Sequence, residues 1–197
     1  MNDEENLWPP ALGHHPAGTV RRTELEALSN VRVVLEWCAS GRLRCSAKTG
    51  RPTAASVAGL ASLLAAGDFY RNEAIAAYAW PLIVQAAGLA ELAGTRLQLT
   101  PRGHTALTAP PAGTIRSLWT RWVSHGVIDE LSRVEEIKGQ RSSNALTSVK
   151  TRRQTVAHAL ETSAAGEWVD IDHLFRRMRR GKLSPTVARS ERAMWKL

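Results

Sequence analysis

The sequence contains few cysteines and no long hydrophobic run. Its two cysteines, Cys38 and Cys45, are too few for a disulfide framework, and without a second Cys pair or a nearby His they are poor zinc ligands. No segment reaches the roughly 18 uninterrupted apolar residues of a membrane span, and the acidic, polar start of the chain is unlike a secretory signal. We therefore expect reduced thiols, no metal, no membrane contact and a cytoplasmic location.

Motifs that carry catalytic chemistry are missing as well. The sequence has no G-x-S-x-G, H-E-x-x-H or phosphate-loop pattern, and His104, His125, His158 and His173 are isolated along the chain. The prediction is a non-enzymatic protein with no catalytic residue and no cofactor. A concave cluster of these histidines with Asp or Glu in the folded chain would favour an enzyme instead.

Positive charge is in excess and is concentrated near the end of the chain. The formal net charge is +8, from 26 Lys and Arg against 18 Asp and Glu. Residues 1–140 contain 14 basic and 13 acidic residues, whereas residues 141–197 contain 12 basic and 5 acidic residues. An excess of this kind favours a polyanionic partner, so an anion-binding surface is expected in residues 141–197.

Apolar spacing predicts a helix-rich first half after a flexible tail over residues 1–22. Thr23 and Glu26 have the spacing of a capping box at the start of a first helix, which ends at Gly41. Residues 42–46 alternate like a short strand. The further predicted elements are a helix from Pro52 to Gly67, helices over 72–78 and 80–88, a hairpin with arms 89–92 and 96–99, and a helix over 100–107.

Residues 54–108 contain the most specific fold signal in the sequence. The segments AAGLAEL (residues 86–92) and LQLTPRG (residues 97–103) resemble the passage from recognition helix to wing in winged helix-turn-helix proteins. The resemblance implies three helices and a β-hairpin wing, with Arg96 and Arg102 placed to meet phosphates. The third helix, however, is apolar and offers only Gln85 as a polar reader of bases, so we expect it to pack against protein.

Apolar positions within residues 115–123 lie on one helical face and include Trp119 and Trp122. The pattern continues to Ile137, which predicts bridging helices over residues 112–139. Large aromatic side chains at helical spacing usually pack in a core or between domains. Together with Trp80 of the apolar third helix, these residues are the candidate partner interface.

Residues 150–197 are predicted to form a second, degenerate unit. Residues 164–168 repeat the pattern of residues 65–69, which is two alanines, a glycine, an acid and an aromatic residue. A helix over 150–163 should bury Leu160, and a helix opening at Asp170 or Asp172 should point Ile171, Leu174, Phe175 and Met178 inward. Gly181 should then turn the chain into a last helix over about 185–196. The predicted nucleic-acid-binding residues are Arg96, Arg102, Arg152, Arg153, Arg176, Arg177, Arg179, Arg180, Lys182, Arg189, Arg192 and Lys196.

The patterns together predict a mainly α protein with tandem winged-helix-like units, a small β-hairpin wing and an amphipathic helical bridge. The predicted divisions are a tail (1–22), a winged-helix-like domain (23–109), bridging helices (112–139) and a basic helix-turn-helix-like unit (150–197). The favoured function is non-enzymatic binding of duplex DNA, as a transcription regulator or accessory module of a bacterial protein.

A different function stays open on the same sequence. Trp80, Trp119 and Trp122 would serve a protein-interaction or dimerisation module. Such a module could be the N-terminal part of a larger DNA-processing or defence enzyme, because the tandem units are loosely similar to accessory amino-terminal regions of bacterial helicase-like and defence proteins.

Overall fold

The computed structural model describes residues 22–68, 73–125, 128–133, 146–166, 168–183 and 186–189. This part of the chain is mainly helical and carries one small antiparallel hairpin, which confirms the mainly α class. Residues 1–21 of the predicted tail and residues 126–127 and 134–139 of the predicted bridge lie outside it. The elements are α1 (Thr23–Ala39), α2 (Ala54–Ala61), α3 (Ile75–Ala86), β1 (Ala90–Ala93), β2 (Arg96–Leu99), α4 (Pro101–Thr108), α5 (Pro111–Ser124), a 3-10 turn (Glu130–Arg133), α6 (Val149–Glu161) and α7 (Ile171–Arg180).

The hydrophobic core lies where α1 meets α3, the hairpin, α4 and α5, with α2 packed on α3. The apolar face that helical spacing predicts on α1 is buried from Val31 onward, whereas Leu25 at its start is exposed. Its most buried side chains are Val31, Val34, Leu35 and Cys38. No helix in the described part of the chain is long and apolar enough to cross a bilayer.

Two predicted helix starts differ in detail. Helix α1 begins at Thr23 as predicted, but Arg22 occupies the N-cap position and its side chain makes no capping hydrogen bond. The predicted capping box is wrong because Thr23 is itself the first helical residue. Helix α2 begins at Ala54, later than predicted, because Pro52 belongs to an isolated β-bridge and the Thr53 hydroxyl caps the helix.

The predicted hairpin is present, but its first strand is Ala90–Ala93, one residue later than the predicted arm. Ala93 pairs with Arg96, so the tight turn holds two residues, with Gly94 at φ +64°. Residues 43–45 run antiparallel beside β2, so the predicted short strand is reduced to an isolated bridge. The Cys45 amide donates to the Thr95 carbonyl at 2.8 Å, and the Leu97 amide donates to the Leu43 carbonyl at 3.0 Å.

Helix α4 lies close against the segment that leads into the hairpin. The Thr100 hydroxyl caps α4 by accepting from the Gly103 amide and itself donates to the Gly88 carbonyl at 2.8 Å. A Cβ at Gly103 would lie 2.0 Å from the Leu89 carbonyl oxygen. Only glycine therefore permits this approach.

Helix α3 is one continuous helix over Ile75–Ala86, so the predicted break between helices over 72–78 and 80–88 is wrong, although most of both segments is helical. Pro81 lies inside it and is buried. A proline in a helix interior costs about 3 kcal/mol. The packing of α3 against α1, α2 and α5 offsets this cost, and every residue of the helix is buried or half-buried.

The C-terminal segment also departs from the prediction. Residues 186–189 are not helical, because Ala188 pairs with Leu146 in a β-bridge and the Thr147 amide donates to the Val187 carbonyl at 2.8 Å. The first turn of the predicted last helix is therefore wrong, and its remainder lies outside the described residues. Three side chains predicted to point inward are exposed, namely Leu160, Ile171 and Phe175, whereas Met178 is buried as predicted.

Candidate nucleic-acid interface

Helix α7 carries the densest group of exposed cations in the C-terminal half. The Asp170 carboxylate caps its start by accepting from the His173 amide at 2.8 Å. Met178 is 2% exposed and anchors the helix from one side, so residues a half-turn away face solvent. The exposed cations that result are Arg176, Arg179, Arg180 and Lys182, which we call the α7 basic surface.

No acid within the described ranges pairs with the α7 basic surface. The ion pairs found there join Arg152 to Asp129, Arg153 to Glu130 and His158 to Glu161. Arg177, in contrast, is half-buried and donates to the Ser163 hydroxyl at 2.7 Å and to the Ala159 carbonyl at 3.3 Å. It is therefore partly committed to holding α7 on α6.

Arg152 and Arg153 do not belong to the predicted interface, because both are buried and bound inside the protein. Each is 8% exposed. Arg152 donates to the Asp129 carboxylate at 2.6 Å and also to the Thr147 carbonyl. The sequence-based assignment of these two residues to phosphate binding is corrected accordingly, since neither guanidinium presents its donors to solvent.

Arg153 makes the more extensive set of contacts. Its guanidinium donates to the Glu130 carboxylate at 2.7 Å and to the carbonyl oxygens of Trp122, His125 and Ile128 at 2.7, 2.8 and 2.7 Å. It also stacks on the Trp122 ring, 3.4 Å from the ring centroid. These contacts join α6 to the end of α5, where backbone carbonyls lack helical partners.

A second cluster of exposed cations lies on the solvent face of the hairpin. Arg44 and Arg96 are direct neighbours across the β-bridge, and Arg42 is on the same face of the strand two residues earlier. The Arg44 guanidinium donates to the Thr95 hydroxyl at 3.4 Å. We call Arg42, Arg44 and Arg96 the hairpin basic surface. Sequence reasoning identified Arg96 alone, although the alternation of residues 42–46 could have indicated the other two.

The other predicted contacts are scattered. Arg102 is exposed, and its guanidinium lies with that of Arg121 beside Gly88, at the C-terminal end of α3, where cations suit the helix dipole. Arg189 is exposed and donates to the Leu146 carbonyl at 2.6 Å. Arg192 and Lys196 lie outside the described residues.

The structure does not bring the three predicted interface tryptophans together. Trp80 is half-buried against the core and Trp122 is half-buried under Arg153, and the two line different grooves. Trp119 alone is well exposed, at 46%. Gln85, the one polar residue of α3, uses its amide to donate to the Gly50 and Pro81 carbonyls at 3.0 Å each.

Within the described ranges, no three His, Cys, Asp or Glu side chains come together as a metal site. No protein-family model matches the sequence, and no curated protein or solved structure is similar to it.

Proposed function

We propose that this chain is a non-enzymatic, duplex-DNA-binding protein whose first unit is a winged helix-turn-helix domain. Three helices, α1, α2 and α3, precede the hairpin over residues 23–99, an order that resembles a winged helix. Within residues 54–108 only α2 and α3 precede the hairpin, because the two helices predicted there before it are one. A bacterial regulator or accessory protein of this kind would act in the cytoplasm.

The observation that carries the proposal is the α7 basic surface. Its cations are solvent-exposed and have no acidic partner among the described residues. Three of them lie in the last turns of α7, and Lys182 follows in the turn after the helix. Guanidinium groups present forked donors that suit phosphate oxygens. Neutralising phosphates releases condensed counterions from DNA, and this release supplies most of the affinity in sequence-independent binding.

The packing of α3 and the hydrogen bonds of Gln85 determine the kind of DNA contact we propose. Because α3 is packed between other helices and the Gln85 amide is already hydrogen-bonded, its residues are not available to read base edges. The hairpin basic surface supplies a second set of phosphate donors in place of a reading helix. The proposed binding is therefore directed at the backbone, with weak dependence on base sequence.

Salt titration of the affinity for a labelled duplex tests this proposal. The double variant Arg176→Glu/Arg180→Glu should lower affinity by at least about tenfold and reduce the log–log salt slope by about two between roughly 50 and 200 mM salt. The matched control is Arg32→Glu/Arg116→Glu, which makes the same charge change at exposed residues of α1 and α5. Equal losses in both double variants, or affinity that does not respond to salt, would contradict the proposal.

Binding of a protein partner is the second candidate, and the exposure of Trp119 favours it. An indole that is 46% exposed on α5 is typical of a contact residue. Sedimentation of the wild-type protein and Trp119→Ala over a range of concentrations tests for self-association. A monomer at every concentration would exclude a homodimer on this surface.

A further inference from the structure

A groove of about 400 Å³ opens beside the N-terminal half of α7. Its volume is within the range of small-ligand sites. It combines an aromatic wall with two cationic side chains, of which only Arg176 belongs to the α7 basic surface. The lining residues are Trp168, Val169, Asp170, His173, Arg176 and Arg177.

Trp168 is the most exposed large apolar side chain in the described part of the chain. It is 72% exposed, compared with 46% for Trp119. Most of its ring is therefore in water, where an apolar surface is unfavourable unless a ligand covers it. A flat, exposed ring is a stacking platform for another flat ring.

The cations beside Trp168 limit which partner fits. Arg177 is held in place by its hydrogen bonds to Ser163 and Ala159, whereas Arg176 is exposed and can adjust. The Asp170 carboxylate accepts the capping hydrogen bond from the α7 backbone. The groove therefore pairs one aromatic face with two guanidinium groups, and it complements a planar ring joined to an anion.

We propose that this groove binds an unpaired nucleotide of single-stranded DNA, with the base stacked on Trp168 and the phosphate bound by Arg176 and Arg177. The inference rests on the proposed function and deepens it, because the same helix would contact duplex phosphates and one exposed base. Stacking on aromatic side chains is how proteins bind single strands without reading their sequence.

A protein partner fits this groove less well. The two other exposed apolar residues of α7, Ile171 and Phe175, do not line it. At 100° per residue they lie on the flank of the helix away from His173 and Arg177. Trp168 is therefore set apart from the apolar pair that a docked helix or strand would cover.

The test compares an oligothymidine of about 15 nucleotides with a duplex of similar length, both by fluorescence anisotropy. Trp168→Ala should weaken binding of the oligothymidine about tenfold, which corresponds to the loss of one stacked base. Duplex affinity should change less than about twofold and the salt slope should stay the same, because no charge is removed. Trp168→Phe should retain most of the wild-type affinity. The control Leu25→Ala, which truncates another exposed apolar side chain, should bind both probes like the wild type.

The outcomes separate this inference from the proposed function. Unchanged oligothymidine binding by Trp168→Ala, beside normal duplex binding, overturns the nucleotide site and leaves duplex binding in place. Equal losses on both probes, or failure of Trp168→Phe to retain the affinity, also overturn it. Self-association of the wild type that Trp168→Ala abolishes, with oligothymidine binding intact, would assign the groove to a second copy. A wild type that binds neither probe refutes the proposed function itself, whereas one that binds the duplex but not the oligothymidine overturns only the nucleotide site.

Discussion

Replacing Arg153 by methionine should destabilise the fold strongly and affect DNA binding only through stability. The sequence places this residue among the cations of the basic C-terminal unit, whereas the structure buries it against the end of α5. Methionine keeps an unbranched apolar stem of similar length but removes every donor. The change therefore isolates the hydrogen bonds and the charge from the packing of the side chain.

The expected loss of stability follows from the hydrogen-bond acceptors that the Arg153 guanidinium satisfies. Its loss leaves three backbone carbonyls without this donor, and each costs about 1 kcal/mol or more if it stays buried. Removing one partner of a buried ion pair costs about 3–5 kcal/mol. Because Glu130 is 50% exposed and water can solvate its carboxylate, we expect a loss of about 3 kcal/mol, at the low end of that range.

Urea unfolding followed by circular dichroism measures this loss. Lys150→Met is the matched control, because it removes an exposed cation from the same helix and should change stability by less than about 0.5 kcal/mol. Arg153→Lys should recover only part of the stability, since an ammonium lacks the fork that bonds several carbonyls. The reasoning is refuted if Arg153→Met unfolds like the wild type yet binds duplex DNA more weakly, because the side chain would then belong to the interface.

Three further substitutions and a change of pH test the packing of the N-terminal part of the chain. Gly103→Ala should destabilise by about 2–3 kcal/mol in urea unfolding because its Cβ would lie 2.0 Å from a backbone oxygen, whereas Gly113→Ala, with open space around it, should stabilise by roughly 0.5–1 kcal/mol. Thr100→Ala removes the cap of α4 and should lower the midpoint of thermal unfolding through a loss of about 1–2 kcal/mol. Burial raises the pKa of the Cys38 thiol to about 12, with a smaller contribution from Cys45, and burial raises the pKa of Cys45 to about 11. Both folded-state pKa values exceed the unfolded value of 9.0, so the unfolding free energy should fall as pH rises above 9.0. Urea unfolding at a series of alkaline pH values measures this fall. A series without it would contradict burial of the thiols.

Elements with a clear local period were predictable from the sequence. The existence of α1, α5 and the hairpin with its Gly94 turn follows from spacings of three to four or of two residues. Spacing alone did not settle burial, since Leu25 and Trp119 lie on the predicted apolar faces and are exposed. Helix α3 was split in the prediction because Pro81 is a local helix-breaking signal. Tertiary packing on several sides of the helix outweighed that signal, and no local pattern reports such packing.

The candidate site was predictable only where exposure followed from helical spacing. Helical spacing predicted an outward-facing group of arginines on α7, and Arg176, Arg179 and Arg180 are exposed. Arg177 of the same predicted group is half-buried. Of the predicted inner side, Met178 is buried, whereas Ile171 and Phe175 are exposed. Arg152 and Arg153 were misassigned because their partners are more than 20 residues away in sequence, within the turn that follows α5. Nothing local to Arg153 distinguishes a buried, fully bonded arginine from an exposed one.

Net charge counted along the chain is a poor guide to the charge that a partner meets. Residues 1–140 are almost neutral in total, yet Arg42, Arg44 and Arg96 form an exposed basic surface on the hairpin. The acidic residues that offset these positive charges in the total lie elsewhere, and they include Glu24 and Glu36 on α1. Conversely, two cations of residues 141–197 are buried in ion pairs and contribute little to the external field. Because a phosphate backbone responds to exposed, unpaired cations, the two surfaces are more nearly equal candidates for DNA contact than the sequence totals indicate.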